Sequence, residues 1–240
     1  QGTLTSSASK LSGNGRRIRP EAERPSRGTI YTRIVPLLLD QLEGEDDGRV
    51  TSAALISLGR SVDADLGAPV EATLLDALDD GDDRVRMAAA VGLGLLGSRT
   101  AGLELVELVT CSQAGHDLVG ETMVPDRVRA VAALALALGD HPEAIPRLMH
   151  AVDGLPDSQR DLKAAVILSL GQMPSAHSPI VVQWLQGKLT DRRLDPVIQS
   201  SVPTALARHG DANVVPQLLT VLEHPDTDRL VAQSIVLALG

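Results

Sequence analysis

Residues 82–97 have the sequence DDRVRMAAAVGLGLLG, and this pattern occurs six times along the chain in degenerate form. Two aspartates open the stretch, and Val85, Ala89 and Leu93 follow at intervals of four residues. This interval places the three side chains on one face of an α-helix. The stretch therefore predicts a helix that an acidic turn precedes and a glycine ends.

A leading helix precedes each of these trailing helices in the sequence. Proline stands in the first turns of the leading helices, where its missing N–H is not needed, at Pro36, Pro69, Pro146, Pro179 and Pro216. Glycine, which ends a helix by adopting the left-handed conformation, follows the trailing helices at Gly59, Gly94 (with Gly97), Gly139, Gly171, Gly210 and Gly240. The recurrence predicts a repeat array rather than one globular core.

The helices of this array are apolar on more than one face, so neighbouring helices must cover them. We predict an all-α fold, a right-handed α-solenoid (an α–α superhelix) of about six helix pairs. The predicted units span residues 29–62, 66–98, 100–139, 141–173, 177–210 and 212–240. An extended segment rich in Arg, Ser and Gly is expected to precede them over residues 1–28.

Recurring dipeptides point to a family. The trailing helices share Val85-Arg86 and Val128-Arg129, and the leading helices share motifs such as Val35-Pro36 and Val215-Pro216. Together they resemble HEAT repeats of the short bacterial kind, also called phycobilisome-lyase-like, over about residues 29–240. The resemblance implies an armadillo-like helical scaffold that binds proteins.

The same resemblance implies a role for four charged side chains. In HEAT arrays, acidic and arginine residues at these positions bridge neighbouring repeats, which here would be Asp83, Arg86, Asp126 and Arg129. Binding of a ligand by these residues is the alternative.

Two irregular places depart from the repeat. Residues 111–125 are predicted to be an inserted loop, and Pro203 predicts a kinked or shortened trailing helix in the fifth unit. The insertion contains Cys111, His116, Asp117 and Glu121, whose spacing matches no known set of metal ligands. The loop either contacts a partner or is a surface insertion that has no function. Trp184 is either a core residue or an exposed binding hot spot.

No cofactor is predicted. Residues 92–97 fit the dinucleotide pattern G-x-G-x-x-G, but that site needs a strand before the glycines, and here a helix runs into them. The acidic turns, such as residues 43–47, 79–83, 153–157 and 223–228, lack the calcium-loop spacing. They are expected to cap helices and to form an acidic ridge that suits a basic partner.

Charge limits the class of partner. The chain has a net charge of −9, and residues 1–28 contribute +4 (six basic against two acidic residues), which leaves −13 for the rest. An acidic body disfavours nucleic acid and anionic membranes. No metal, cofactor, nucleic-acid or membrane-inserted function is expected.

We therefore expect a non-catalytic protein–protein interaction scaffold or adaptor, one piece of a longer protein, with no compartment predicted. One alternative is a structural segment of a multi-copy assembly or surface protein, which would self-associate through uncapped repeat ends. Another is an accessory protein of a lyase or other enzyme. No catalytic constellation in the sequence favours the enzyme alternative.

Overall fold

The computed structural model describes residues 26–45 and 47–240, so most of the predicted N-terminal segment lies outside the described residues. In chain order the α-helices are α1 (Arg27–Thr29), α2 (Val35–Leu42), α3 (Gly48–Ser61), α4 (Ala68–Asp76), α5 (Asp83–Leu96), α6 (Arg99–Thr110), α7 (Gln113–Val119), α8 (Asp126–Leu138), α9 (Ile145–Gly154), α10 (Arg160–Gln172), α11 (Pro179–Thr190), α12 (Pro196–His209), α13 (Val215–Glu223) and α14 (Arg229–Leu239). A π-helical turn, Ile30–Ile34, joins α1 to α2, and short 3-10 turns flank several of the other helices.

The trailing helices α3, α5, α8, α10, α12 and α14 stack one on the next. Each leading helix packs against the trailing helix of its own unit: α2 on α3, α4 on α5, α6 on α8, α9 on α10, α11 on α12 and α13 on α14. Among the described residues all regular structure is helical, and the predicted all-α solenoid is confirmed. No helix in the described part is long and apolar enough to cross a membrane.

One apolar stripe repeats in every trailing helix and forms the core. We number its first residue as position 0, which is Val50, Val85, Val128, Leu162, Ile198 and Val231 in the six helices. Positions +4 and +8 continue the stripe one and two turns later. The stripe is buried throughout, except at Val50 at one end of the stack and Leu239 at the other.

Glycine at position +9 has a different role from the predicted one. Gly59, Gly94 and Gly171 lie inside their helices rather than after them. A Cβ atom on any of the three would overlap the backbone of the next trailing helix, at Gly92, Ala135 and Ala205 respectively. These last residues all occupy position +7. The prediction that these glycines end helices is therefore wrong, because they permit two helix backbones to approach closely.

Most of the other end signals behave as the sequence indicates. Gly97 and Gly210 end α5 and α12 with φ of +67° and +66°, whereas Gly139 ends α8 with φ of −83°. Asp47, Asp82 and Asp228 accept hydrogen bonds from backbone N–H groups at the starts of α3, α5 and α14, which confirms three of the predicted caps. The prediction is wrong for residues 153–157, because no side chain caps α10 and Asp157 instead accepts from Lys163.

All five prolines stand in the first turn of their α-helices, as predicted. At α2 the π-helical turn Ile30–Ile34 precedes Val35, so helical backbone also extends upstream of Pro36.

Two predictions about irregular places are corrected. The insertion at residues 111–125 is not simply a loop, because it contains α7, which Ser112 caps and Gly120 ends with φ of +62°. A Cβ atom on Gly115 would overlap the backbone of Glu107, so α7 packs closely on α6. Helix α12 runs for 14 residues through Pro203 and is not shortened.

Candidate functional site

A cleft of about 610 Å³ opens between the third and fourth units. Its volume lies within the range typical of ligand pockets. The cleft is lined by Thr110, Ser112, Arg129, Pro146, Arg147, His150, Ala151, Gly154 and Leu155. Pro146, Ala151 and Leu155 form an apolar wall, and guanidinium, imidazole and hydroxyl groups face it. Such a mixed lining suits a ligand that has both an apolar part and a polar group.

Arg129, at position +1 of α8, lines this cleft with a side chain that is only 5% exposed. Its Nε donates to the carbonyl oxygen of Val109 at 3.1 Å, and its Nη1 donates to Oδ1 of Asp126 at 3.1 Å. Its Nη2 has no hydrogen-bond acceptor among the described residues. Charge-assisted hydrogen bonds to carboxylates are among the strongest that a guanidinium makes. The open Nη2 is thus the group through which the cleft can bind an anion.

Arg147 stands at the edge of the cleft. Its Nη1 donates to Oε1 of Glu107 at 2.6 Å, and its Nη2 donates to Oγ1 of Thr110 at 3.4 Å. The hydroxyl of Ser112 also donates to Glu107. The hydrogen bond from Arg147, followed by that from Ser112, holds the pKa of Glu107 below its ordinary value. Glu107 is therefore ionised at neutral pH and fixes Arg147 beside the cleft.

Arg86 occupies the equivalent position +1 in α5, where the corresponding site is filled. Its Nη1 donates to Asp83 at 3.2 Å, as Arg129 does to Asp126. Its Nη2 donates to Oε1 of Glu121 at 2.6 Å and to the carbonyl oxygen of Val119 at 3.4 Å. Val119 is the last residue of α7, and Glu121 lies just beyond it. The insertion thus supplies Arg86 with the acceptors that Arg129 lacks.

The four residues of the expected inter-repeat ladder form two pairs, each within one helix: Asp83 with Arg86, and Asp126 with Arg129. Links to the next unit use other groups. Glu121 binds Arg86 across 35 positions of sequence, and Nε2 of Gln159 donates to Asp126 at 2.7 Å. The aspartate–arginine pairs therefore orient the arginines, and the connections between units run through further partners.

Lys163 is a third cation at position +1 that sequence reasoning missed. Its side chain is 7% exposed, and its Nζ donates to Oδ1 of Asp157 at 3.0 Å. The register could have found it, because Lys163 follows Leu162 as Arg86 follows Val85.

The other predicted partner-binding residues do not form one site. Nε2 of His116 lies 3.2 Å from Sγ of Cys111, and Asp117 accepts from Gln113 at 2.9 Å. Trp184 lies on α11, where its Nε1 donates to Asp153 at 3.4 Å and Nζ of Lys188 is 5.4 Å from its ring. Within the described ranges, no three acidic, histidine or cysteine side chains are grouped as metal ligands would be.

Comparison with known proteins supports the repeat class that the motifs indicate. Residues 35–114 match the family model of HEAT repeats. Residues 35–114 are therefore HEAT repeats, which confirms over this part of the chain the resemblance inferred from the repeated motifs. Its assignment to the bacterial, phycobilisome-lyase-like kind stays a prediction. HEAT repeats commonly provide extended surfaces for binding other proteins.

The search of curated proteins found no match. Among solved structures, human deoxyhypusine hydroxylase in complex with glycerol aligns over 85% of this chain and 83% of its own, with 18% identity and a TM-score of 0.38. A likeness of this size does not define a shared function.

Proposed function

We propose that this chain is a non-catalytic scaffold whose cleft at Arg129 binds an acidic segment of a partner protein. One observation carries the proposal. Two equivalent buried arginines are held alike by their own aspartates, yet only Arg86 has its Nη2 occupied, and the occupant is a segment of polypeptide.

The filled site indicates what the open site would bind. Arg86 donates hydrogen bonds to the backbone carbonyl oxygen of Val119 and to the carboxylate of Glu121, which lies two residues later. A partner that presents the same two acceptors to Arg129 would place a glutamate two residues after an acceptor carbonyl. Its neighbouring side chains would meet the apolar wall of Pro146, Ala151 and Leu155.

Overall charge restricts the remainder of the partner. The chain has a net charge of −9, so a uniformly acidic partner would be repelled at long range. We therefore expect one acidic side chain in the segment, with neutral or basic residues around it. This also fits the basic partner that the acidic turns favour.

Selection from a random heptapeptide display library on the immobilised protein tests this proposal. We expect the enriched peptides to share a glutamate or aspartate. Arg129→Gln should weaken their binding, because losing a hydrogen bond between two charged groups costs about 1.5–3 kcal/mol, or roughly 10- to 100-fold in Kd. Glutamine is compatible with this position, since Gln199 occupies it in α12.

Arg127→Gln is the matched control. Arg127 lies on the same helix, is exposed, and loses the same charge on substitution. It should leave peptide affinity unchanged, and circular dichroism should show that both variants are folded. Selected peptides without an acidic residue, or with equal affinity for wild type and Arg129→Gln, would refute the proposal.

A further inference from the structure

A second cleft, of about 500 Å³, opens between the fifth and sixth units and repeats the cleft at Arg129. Gln199 occupies position +1 of α12, as Arg129 does in α8. Its Nε2 donates to the carbonyl oxygen of Leu189 at 2.6 Å, which matches the hydrogen bond from Arg129 to Val109. Five further lining positions correspond: Thr110 to Thr190, Ser112 to Arg192, His150 to Thr220, Ala151 to Val221, and Gly154 to His224. The array therefore contains two open clefts of one design.

The intervening interface, between the fourth and fifth units, has a larger side chain at one of these positions. Trp184 stands five residues after the proline of its leading helix, as Ala151 and Val221 do. Its Nε1 reaches Asp153 of the preceding leading helix at 3.4 Å. The size of this side chain therefore distinguishes the interfaces. Stacking of further units does not close such a cleft, because the one at Arg129 is open although the fifth and sixth units follow it.

The polar groups of the second cleft are mostly hydrogen-bond acceptors. The hydroxyls of Thr190, Thr220 and Thr227 each donate their proton to a backbone carbonyl oxygen, so they can only accept from a ligand. The hydrogen bond from Gln199 to Leu189 fixes the orientation of the amide. Its Oε1 has no hydrogen-bond donor among the described residues. The acceptor groups thus take the place of the guanidinium of the first cleft.

Charge in the lining favours a cation. Asp226 forms no ion pair within the described part of the chain, and Asp228 uses only its Oδ1 to cap α14. Arg192, which is exposed, is the cation among the described residues of this lining. His224 accepts from the N–H of Asp226 at 3.2 Å through Nδ1, so its remaining donor is Nε2. Two carboxylates against one guanidinium give the cleft a negative potential.

We propose that this second cleft binds the side chain of a lysine in a partner protein. A lysine ammonium has three donors and no acceptor, which complements Oε1 of Gln199 and the threonine oxygens. Its apolar stem suits the wall of Leu194 and Val221. The two clefts share no residue, so this site does not depend on whether the cleft at Arg129 binds an acidic segment.

Peptide selection on the Arg129→Gln variant tests the second cleft by itself. This variant lacks the guanidinium of the first cleft and retains every residue of the second. Heptapeptides enriched from a random display library should share a lysine. Norleucine keeps the lysine stem but lacks the ammonium group, so replacing that lysine by norleucine should weaken binding by roughly 10- to 100-fold.

A second substitution separates this site from a general attraction of basic peptides to an acidic protein. Gln199→Arg, added to Arg129→Gln, places a guanidinium in the second cleft, and α5 and α8 already have arginine at position +1. It should weaken the lysine peptides by about tenfold or more. Gln183→Arg makes the same change at an exposed position of α11 and should leave their affinity unchanged. Circular dichroism checks that all variants are folded.

Three results would overturn the proposal. One is a selection on Arg129→Gln that enriches no lysine peptides. Another is equal affinity of the enriched peptides with and without Gln199→Arg. The third is an equal loss of affinity with Gln199→Arg and Gln183→Arg, because that result indicates attraction by net charge alone.

Discussion

Replacing Gly94 by alanine tests whether the trailing helices are held together by contact of their backbones. Gly94 lies inside α5, and a Cβ atom added there would overlap the backbone of Ala135 in α8. The main chain of α8 cannot move without shifting the stacked helix that follows it. The substitution must therefore separate α5 from α8 or distort one of them.

Two opposing terms set the magnitude. Alanine is favoured over glycine in a helix interior by about 1 kcal/mol. Overpacking of a close-packed core costs about 1–3 kcal/mol, and overlap with backbone belongs at the upper end of that range. We expect Gly94→Ala to reduce the free energy of unfolding by about 1–2 kcal/mol.

Gly187 is the matched control. It lies inside α11, and a Cβ atom there would have no heavy atom within 4 Å. Gly187→Ala has only the favourable term and should stabilise the protein by up to about 1 kcal/mol. Urea unfolding followed by circular dichroism at 222 nm measures both variants. Equal stabilisation by the two substitutions would refute the close-approach argument.

Three further predictions concern other parts of the chain. Burial, and then the neighbouring His177, lowers the pKa of His209 from 6.5 to about 4, so the folded state holds this ring neutral. The stability that comes from keeping the ring neutral is complete above pH 6.5 and is lost as the pH falls towards 4. Because the ring is partly exposed, we expect the free energy of unfolding, measured in urea, to fall by about 1–2 kcal/mol over this range. His209→Leu should reduce this fall. Gly210→Ala should cost about 1 kcal/mol in thermal unfolding because φ is +66° there, although its Cβ meets no neighbour. Glu121→Gln should speed amide exchange in α7 relative to Asp117→Asn, because Glu121 binds a buried arginine and Asp117 an exposed glutamine.

Much of the fold could be predicted because its signals are local. Aspartate before a trailing helix and proline near the start of a leading helix have direct mechanical roles, and the structure places most of them as expected. For Gly94 the local sequence leaves two roles open. A glycine near the end of an apolar pattern is equally consistent with a helix end and with a close approach, and only the position of Ala135 in the next helix distinguishes them.

The candidate cleft could be predicted only in part. The register places Arg86 and Arg129 at equivalent positions, and the sequence shows that residues 111–125 are additional. It does not show that Glu121 returns to Arg86, because that contact joins residues 35 positions apart through the folding of α7. The difference between a filled and an open site therefore depends on tertiary packing.

A crystal structure of the chain with a display-selected acidic peptide is the most direct test of the central claim. The claim predicts a peptide carboxylate within hydrogen-bond distance of Nη2 of Arg129, with the adjacent peptide residues against Pro146 and Leu155. A peptide bound elsewhere, with Nη2 of Arg129 still without an acceptor, would contradict it.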